Sequence, residues 1–201
     1  MTVDSEYWIF GYGSLLFKPP PHFDKRVPGY VKGFVRRFWQ SSNDHRGVPE
    51  APGRVVTLLE KEYWETLNDP HPSSDDGITW GVAYHIIPEY VEYVKNYLDI
   101  REKNGYSTHK VPFYVAKKDS EFADLPDTIS CIVYIGTPDN EAFVGPEDPE
   151  KLAKHIINSR GPSGENKEYL YKLGEALREL APQAHDHHIE ELVAIAKRYD
   201  Q

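Results

Sequence analysis

Two short stretches carry residue types suited to chemistry. Gly11-Tyr12-Gly13-Ser14-Leu15 follows directly on the apolar run Trp8-Ile9-Phe10. Glycines flanking an aromatic let the backbone approach a ligand closely and turn successive N–H groups into a cavity. Such groups suit a carboxylate or a developing oxyanion. The stretch is not a nucleophile elbow, which needs glycine where Tyr12 and Leu16 stand. Nor is it a phosphate loop, because no Gly-Lys-Ser/Thr follows. A strand ending in an ordinary hairpin turn fits the same residues.

The second stretch centres on Glu102. Leu98 lies four residues before it and Val94 eight before, so Glu102 continues an apolar helical stripe. It also ends a helix, where the macrodipole disfavours negative charge. Burial and dipole both push a carboxylate pKa upward, as a general base near neutral pH requires. A frayed last turn, or a pair with Arg101 or Lys103, would leave it solvated instead. Tyr106 follows closely and could donate to a substrate beside Glu102, or pack in the core. Asp44-His45-Arg46-Gly47 is a polar loop in which Arg46 could hold a carboxylate. Arg160-Gly161-Pro162-Ser163-Gly164 leads into a helix with Tyr169 on its apolar side, and helix starts receive anions readily.

Other reactive types read as bystanders. His185, His187 and His188 open the last helix, where polar residues cap and stay wet. Cys131 lies in an apolar strand pattern and reads as inert core. No Cys-His or Ser-His-Asp constellation is evident.

These residues need elements to position them. Trp8 to Tyr12 reads as a strand feeding a turn. Pro19-Pro20-Pro21 then excludes regular structure. Tyr30 to Gln40 and Arg54 to Glu60 read as strands, with Ser41 to Gly53 a loop between them. Glu62 to Gly77 is polar and reads as a flexible insertion. Ile78 to Ile87 alternates, with Trp80, Val82, Tyr84 and Ile86 on one face. Thr79, Gly81, Ala83 and His85 form the other face, small enough to leave room for something to sit there. An amphipathic helix begins at Pro88 and stops before Gly105. Strands follow at Thr108 to Lys117 and Thr128 to Gly136. Helices are expected over Pro149 to Ser159, Asn166 to Leu180 and Ile189 to Tyr199, with Pro182 separating the last two. Strands first and helices later predict an α+β fold, with all of residues 1–201 in a single domain.

Composition narrows the class. The 201 residues include 39% hydrophobic and 13% aromatic types, enough for a folded core. Asp plus Glu is 32 against Lys plus Arg 23, giving −9, so nucleic acid is a poor partner. No apolar run approaches the roughly 20 residues a membrane span needs. Met1 to Tyr7 is short, polar and acidic, unlike a targeting peptide. A single cysteine excludes an internal disulfide framework. The expectation is a cytoplasmic protein.

Nine segments in order then resemble one family, the ChaC-type, glutathione-specific γ-glutamylcyclotransferases. They are Phe10-Gly11-Tyr12-Gly13-Ser14-Leu15, Arg36-Arg37-Phe38-Trp39-Gln40, Asp44-His45-Arg46-Gly47-Val48-Pro49 and Pro52-Gly53-Arg54-Val55-Val56-Thr57-Leu58. Further on come Trp80-Gly81-Val82-Ala83-Tyr84, Tyr97-Leu98-Asp99-Ile100-Arg101-Glu102, Gly105-Tyr106, Tyr134-Ile135-Gly136 and Gly161-Pro162-Ser163-Gly164. The resemblance implies a small, partly closed mixed β-barrel flanked by helices. It implies cleavage of glutathione to 5-oxoproline and cysteinylglycine, with no metal or organic cofactor. It places the substrate-cradling turn on Gly11, Tyr12, Gly13, Ser14, Leu15 and Leu16. It places the catalytic glutamate on Glu102 and a substrate-side tyrosine on Tyr169. Glu62 to Gly77 departs from the compact family pattern and is expected to be a surface excursion. A cyclotransferase for other γ-glutamyl compounds, or a non-catalytic metabolite-binding protein on the same fold, remains open at this level. A metal-dependent hydrolase using the three histidines would show chelator-sensitive activity. Glutathione is anionic and the chain is too, so the site must favour anions locally. Arg46, Arg54 and the N–H groups after Gly11 are the candidates for that.

Overall fold

The structure, a computed structural model, describes residues 6–71, 76–102, 105–116, 122–181 and 183–200. Among the described residues, the longer strands come in chain order as β1 (Trp8–Gly11), β2 (Phe23–Lys32), β3 (Phe34–Ser42), β4 (Gly53–Glu60), β5 (Ile78–Ile86), β6 (Tyr106–Val115) and β7 (Thr128–Gly136). Five of them close into a barrel in the order β1-β5-β2-β6-β7. Every ladder is antiparallel except the closing one, β1 with β7, which pairs Ile9 with Ile132 in parallel. Closure removes exposed strand edges, a standing hazard of open sheets. β3 and β4 form a separate hairpin, with a register shift between Arg37 and Gln40. The small mixed barrel flanked by helices is the one the resemblance implied, closed through the single β1–β7 pair.

The helices are α1 (Lys61–Trp64), α2 (Val91–Arg101), α3 (Pro149–Asn158), α4 (Asn166–Leu180) and α5 (His187–Tyr199). Two short strands, β8 (Arg160–Gly161) and β9 (Gly164–Glu165), form a hairpin just before α4. α2 buries Val94 and Leu98, as the apolar spacing predicted. Asp148 caps α3 on the Lys151 N–H at 3.0 Å, and Asp186 caps α5 on the Ile189 N–H at 3.0 Å. One apolar cluster runs from Trp8 through the barrel to Ile195 and Ala196 of α5.

The structure corrects several sequence readings. Tyr30 to Gln40 is not one strand. Gly33 adopts φ +81°, a left-handed conformation that glycine reaches without strain, and the chain turns there from β2 to β3. The first half of β2 was missed because Phe23 to Pro28 is polar and holds a proline. Pro28 fits because the β2–β6 ladder covers only Gly29 to Val31. The small face of β5 is covered by the chain itself at Gly81, where the Phe10 ring lies over it. Glu62 to Gly77 is not a free excursion in its described part. Asp69 pairs with Arg37 at 2.7 Å, and the buried His71 pairs with Glu191 at 2.5 Å. Burial raises the Asp69 carboxyl, but Arg37 and the hydrogen bonds it receives bring it below its ordinary value. Residues 72–75, and Met1 to Ser5, Lys103, Lys117 and Pro182 from other readings, lie outside the described residues.

Glycines also set how closely the barrel wall packs. A Cβ on Gly29 would meet the Tyr114 carbonyl oxygen and the Phe113 ring. Carbonyl and ring are both fixed by the β2–β6 ladder. Gly29→Ala is therefore expected to cost about 3 kcal/mol, the upper range for overpacking. A thermal melt should show Tm lowered by about 6–12 °C. An unchanged Tm would contradict the packing described.

Candidate active site

A cavity of about 370 Å³ opens at the end of β1, a size that suits a small ligand. Three structural units build it. The first is the turn after β1. Ser14–Leu16 forms one turn of 3₁₀ helix, closed by Leu16 N–H donating to the Gly13 carbonyl at 3.0 Å. The opening N–H groups of such a turn have no partner within it. Among the described residues, nothing accepts from the Gly13, Ser14 and Leu15 N–H groups. The turn is held from behind, where the Tyr84 hydroxyl donates to the Leu15 carbonyl at 2.7 Å. Gly13 is required by close approach: a Cβ there would lie 2.9 Å from the Tyr169 hydroxyl and 2.9 Å from a Val56 methyl.

The second unit is the C-terminal end of α2. Glu102 caps the helix, its N–H donating to the Leu98 carbonyl at 2.7 Å. Its side chain is 19% exposed and lines the cavity. Burial pushes its carboxyl above the ordinary value. Arg101 and His45 pull it back, and Asp44 adds a further upward push. Arg101 spans the junction of the two units. Its guanidinium donates to the Ser14 hydroxyl at 2.6 Å and lies 3.9 Å from Glu102.

The third unit is the loop between β3 and β4, clamped against the β8–β9 hairpin. Ser163 N–H donates to the His45 carbonyl at 2.9 Å. The His45 ring bridges Ser163 Oγ at 3.2 Å and the Arg101 carbonyl at 3.1 Å. The carbonyl can only accept, so Nε2 carries the proton there. Asn166 ties α4 to β4 by a reciprocal pair with the Arg54 backbone, at 2.7 Å each way. This fixes Tyr169, one helical turn on, edge-to-face with Phe17 and Phe38.

Of the residues singled out in the sequence, Tyr12, Gly13, Ser14, Leu15, Arg46, Glu102, Tyr106 and Tyr169 all line this cavity. Gly11 and Leu16 do not. Gly11 belongs to β1, where a Cβ would press on Leu15 and the Tyr84 ring, and Leu16 is buried core. Their place in the turn is support from behind. Arg46 donates to the Glu165 carbonyl at 2.9 Å, lies 3.5 Å from Glu168 and sits over the Tyr169 ring. Arg54 is corrected as an anion candidate. It makes a forked pair with Glu147 and does not line the cavity.

The tyrosines divide by their partners. Tyr12 donates to the Tyr134 carbonyl at 2.7 Å, and Tyr169 bonds the Val56 backbone. The Tyr106 hydroxyl takes no partner among the described residues. Burial raises all three phenols, so each stays neutral at pH 7. Sequence reasoning missed Arg101 as a site residue, because a cation at a helix C-terminus has an ordinary explanation. Lys18 was missed too, standing beyond the turn beside Pro19.

The remaining candidates lie elsewhere. His185 and His187 are exposed beside Glu190, while His188 points into the core and accepts from the Phe38 N–H at 3.0 Å. The three rings therefore do not face one point. Burial raises the Cys131 thiol, which keeps it protonated and inert.

A closed mixed barrel, with a helix-end carboxylate and a glycine-tyrosine-glycine turn opening on one cavity, places the protein in the α+β γ-glutamylcyclotransferase fold. A crystal structure of a selenomethionine-labelled γ-glutamylcyclotransferase specific to glutathione from yeast matches it with TM-score 0.87. The identity is 40%, covering 98% of this chain and 97% of that one. A family model described as ChaC-like protein matches residues 7–199. The glutathione-specific γ-glutamylcyclotransferase of Schizosaccharomyces pombe is 41% identical over 201 residues, 100% of this chain and 97% of the relative. The Homo sapiens glutathione-specific γ-glutamylcyclotransferase 1 is 41% identical over 190 residues, 92% of this chain and 76% of the relative. The chain belongs to the ChaC-like protein family.

Proposed function

We propose that this protein cleaves glutathione to 5-oxoproline and cysteinylglycine, and that Glu102 is its general acid and base. One observation carries the proposal: the largely buried Glu102 side chain lines the same cavity as Gly13, Ser14 and Leu15, whose N–H groups have no acceptor among the described residues. The names of the relatives support glutathione as the substrate.

The reaction needs no enzyme nucleophile. The neutral α-amine of the γ-glutamyl unit attacks its own side-chain carbonyl carbon and closes a five-membered ring. Folding the substrate into that geometry supplies a large part of the rate. The carbonyl oxygen becomes an oxyanion, which the turn N–H groups receive. Glu102 takes the proton from the attacking nitrogen. As the old C–N bond breaks, it gives that proton to the departing cysteinyl nitrogen. The Tyr106 hydroxyl, neutral and uncommitted, donates to the bound γ-glutamyl group. Tyr12, Arg46 and Tyr169 shape its seat.

The pH dependence follows from burial. Only ionised Glu102 can accept a proton, so below its pKa kcat/KM loses a second factor of ten per pH unit, beyond the one already lost as the substrate's α-amine protonates below about 8. That pKa lies above the ordinary carboxylate value because burial disfavours the charge. A pH profile with glutathione should show this second break above the ordinary carboxylate range. A second break within or below that range would contradict the burial of Glu102.

The substrate belongs to the reducing cytoplasm, and we place the protein there. No helix among the described residues is long and apolar enough to cross a membrane. The continuous apolar cluster supports reading residues 1–201 as one domain.

A further inference from the structure

Glutathione carries a second carboxylate, on the glycine that leaves with cysteine. The cavity must receive it, yet most of the nearby cations are already engaged. Arg54 is paired with Glu147 and faces away. Arg46 is held by Glu168 and the Glu165 carbonyl. Arg101 is bound to Ser14 and sits beside Glu102. His45 has both ring nitrogens occupied, with Asp44 3.8 Å from Nε2.

Lys18 is different. Its side chain is exposed, it lines the cavity, and its ammonium has no acceptor among the described residues. Its backbone is fixed at the site. Lys18 N–H donates to the Ser14 carbonyl at 2.8 Å, and its carbonyl accepts from Arg101 at 3.4 Å. Lys18 is thus anchored to the same arginine that adjoins Glu102.

Distance fits the leaving group. Glu102 returns a proton to the cysteinyl nitrogen, so that nitrogen lies beside it. Two residues of extended chain carry the glycine carboxylate about 7 Å further on. That brings it to the mouth, within reach of a lysine rooted at the Arg101 contact. We propose that Lys18 binds the terminal carboxylate of the departing cysteinylglycine and so selects the tripeptide over shorter γ-glutamyl compounds. This rests on the function proposed above.

The test compares glutathione with glutathione amidated at its glycine carboxyl, both read as 5-oxoproline release. The wild type should prefer free glutathione by about tenfold in kcat/KM, the scale of one charge-assisted contact. Lys18→Met should lower kcat/KM for glutathione by about tenfold and leave the amide unchanged, erasing the preference. Lys18→Arg should keep it. The position is exposed, so the variants should melt with the wild type. Equal use of both substrates by the wild type, or a preference surviving in Lys18→Met, would overturn the assignment of Lys18. Absence of any 5-oxoproline from either substrate would instead overturn the proposed function.

Discussion

Glu102→Gln is expected to lower kcat for 5-oxoproline release from glutathione by about 10²- to 10⁴-fold while the protein stays folded. Glutamine keeps the shape and the hydrogen-bonding reach of the side chain. It cannot take the proton from the attacking amine or return it to the leaving one. KM should change little, because the γ-glutamyl seat is built by the turn and the tyrosines. Stability should not fall either. Burial raises the Glu102 pKa above its unfolded value. The stability it contributes is full below the unfolded pKa and is lost as pH rises through the folded one. At pH 7 the ionised side chain is therefore a cost, and Gln removes it. The variant's Tm at pH 7 should equal or exceed that of the wild type, the familiar opposition between active-site function and stability. A dead variant with a collapsed Tm would show a structural role. A fully active, folded variant would remove Glu102 from the mechanism.

Gly13→Ala should have the second largest effect, about 10²- to 10³-fold in kcat. The consequence for alanine is steric. The added methyl would lie 2.9 Å from both the Tyr169 hydroxyl and Val56. Tyr169 is wedged between Phe17 and Phe38 and has little room to yield. The turn must move instead, and its N–H groups with it. Oxyanion donors act over tenths of an ångström, and losing one costs about that factor. The loss should appear in kcat more than in KM. Steady-state kinetics on a variant with unchanged circular dichroism would decide. Wild-type kcat would mean that the turn does not hold the oxyanion.

Residue types alone marked candidates for this site, and the resemblance to the cyclotransferase family selected among the readings they left open. The turn after β1 showed in its two glycines. Glu102 showed because it broke two rules at once, continuing an apolar stripe and placing an acid at a helix C-terminus. Helices α3, α4 and α5 showed through apolar spacing, and β7 through its unbroken apolar run. What stayed hidden depends on tertiary partners. Pro28 hid the first half of β2, since only the missing β6 partner makes proline acceptable there. Gly33 hid a strand break inside an otherwise continuous β pattern. Asp69 and His71 sit in a polar stretch that reads as loop, and only Arg37 and Glu191 reveal them as anchors. Arg54 and Lys18 carry equal charge in the sequence. The fold commits one to Glu147 and leaves the other at the mouth.

In the proposed reaction the substrate's own amine, and not water, attacks the γ-glutamyl carbonyl. The most direct measurement incubates purified protein with glutathione in ¹⁸O-labelled water and identifies the products by mass. 5-Oxoproline and cysteinylglycine should form in equal amounts, with no label in either. Free glutamate carrying ¹⁸O, or no cleavage at all, would contradict that reaction.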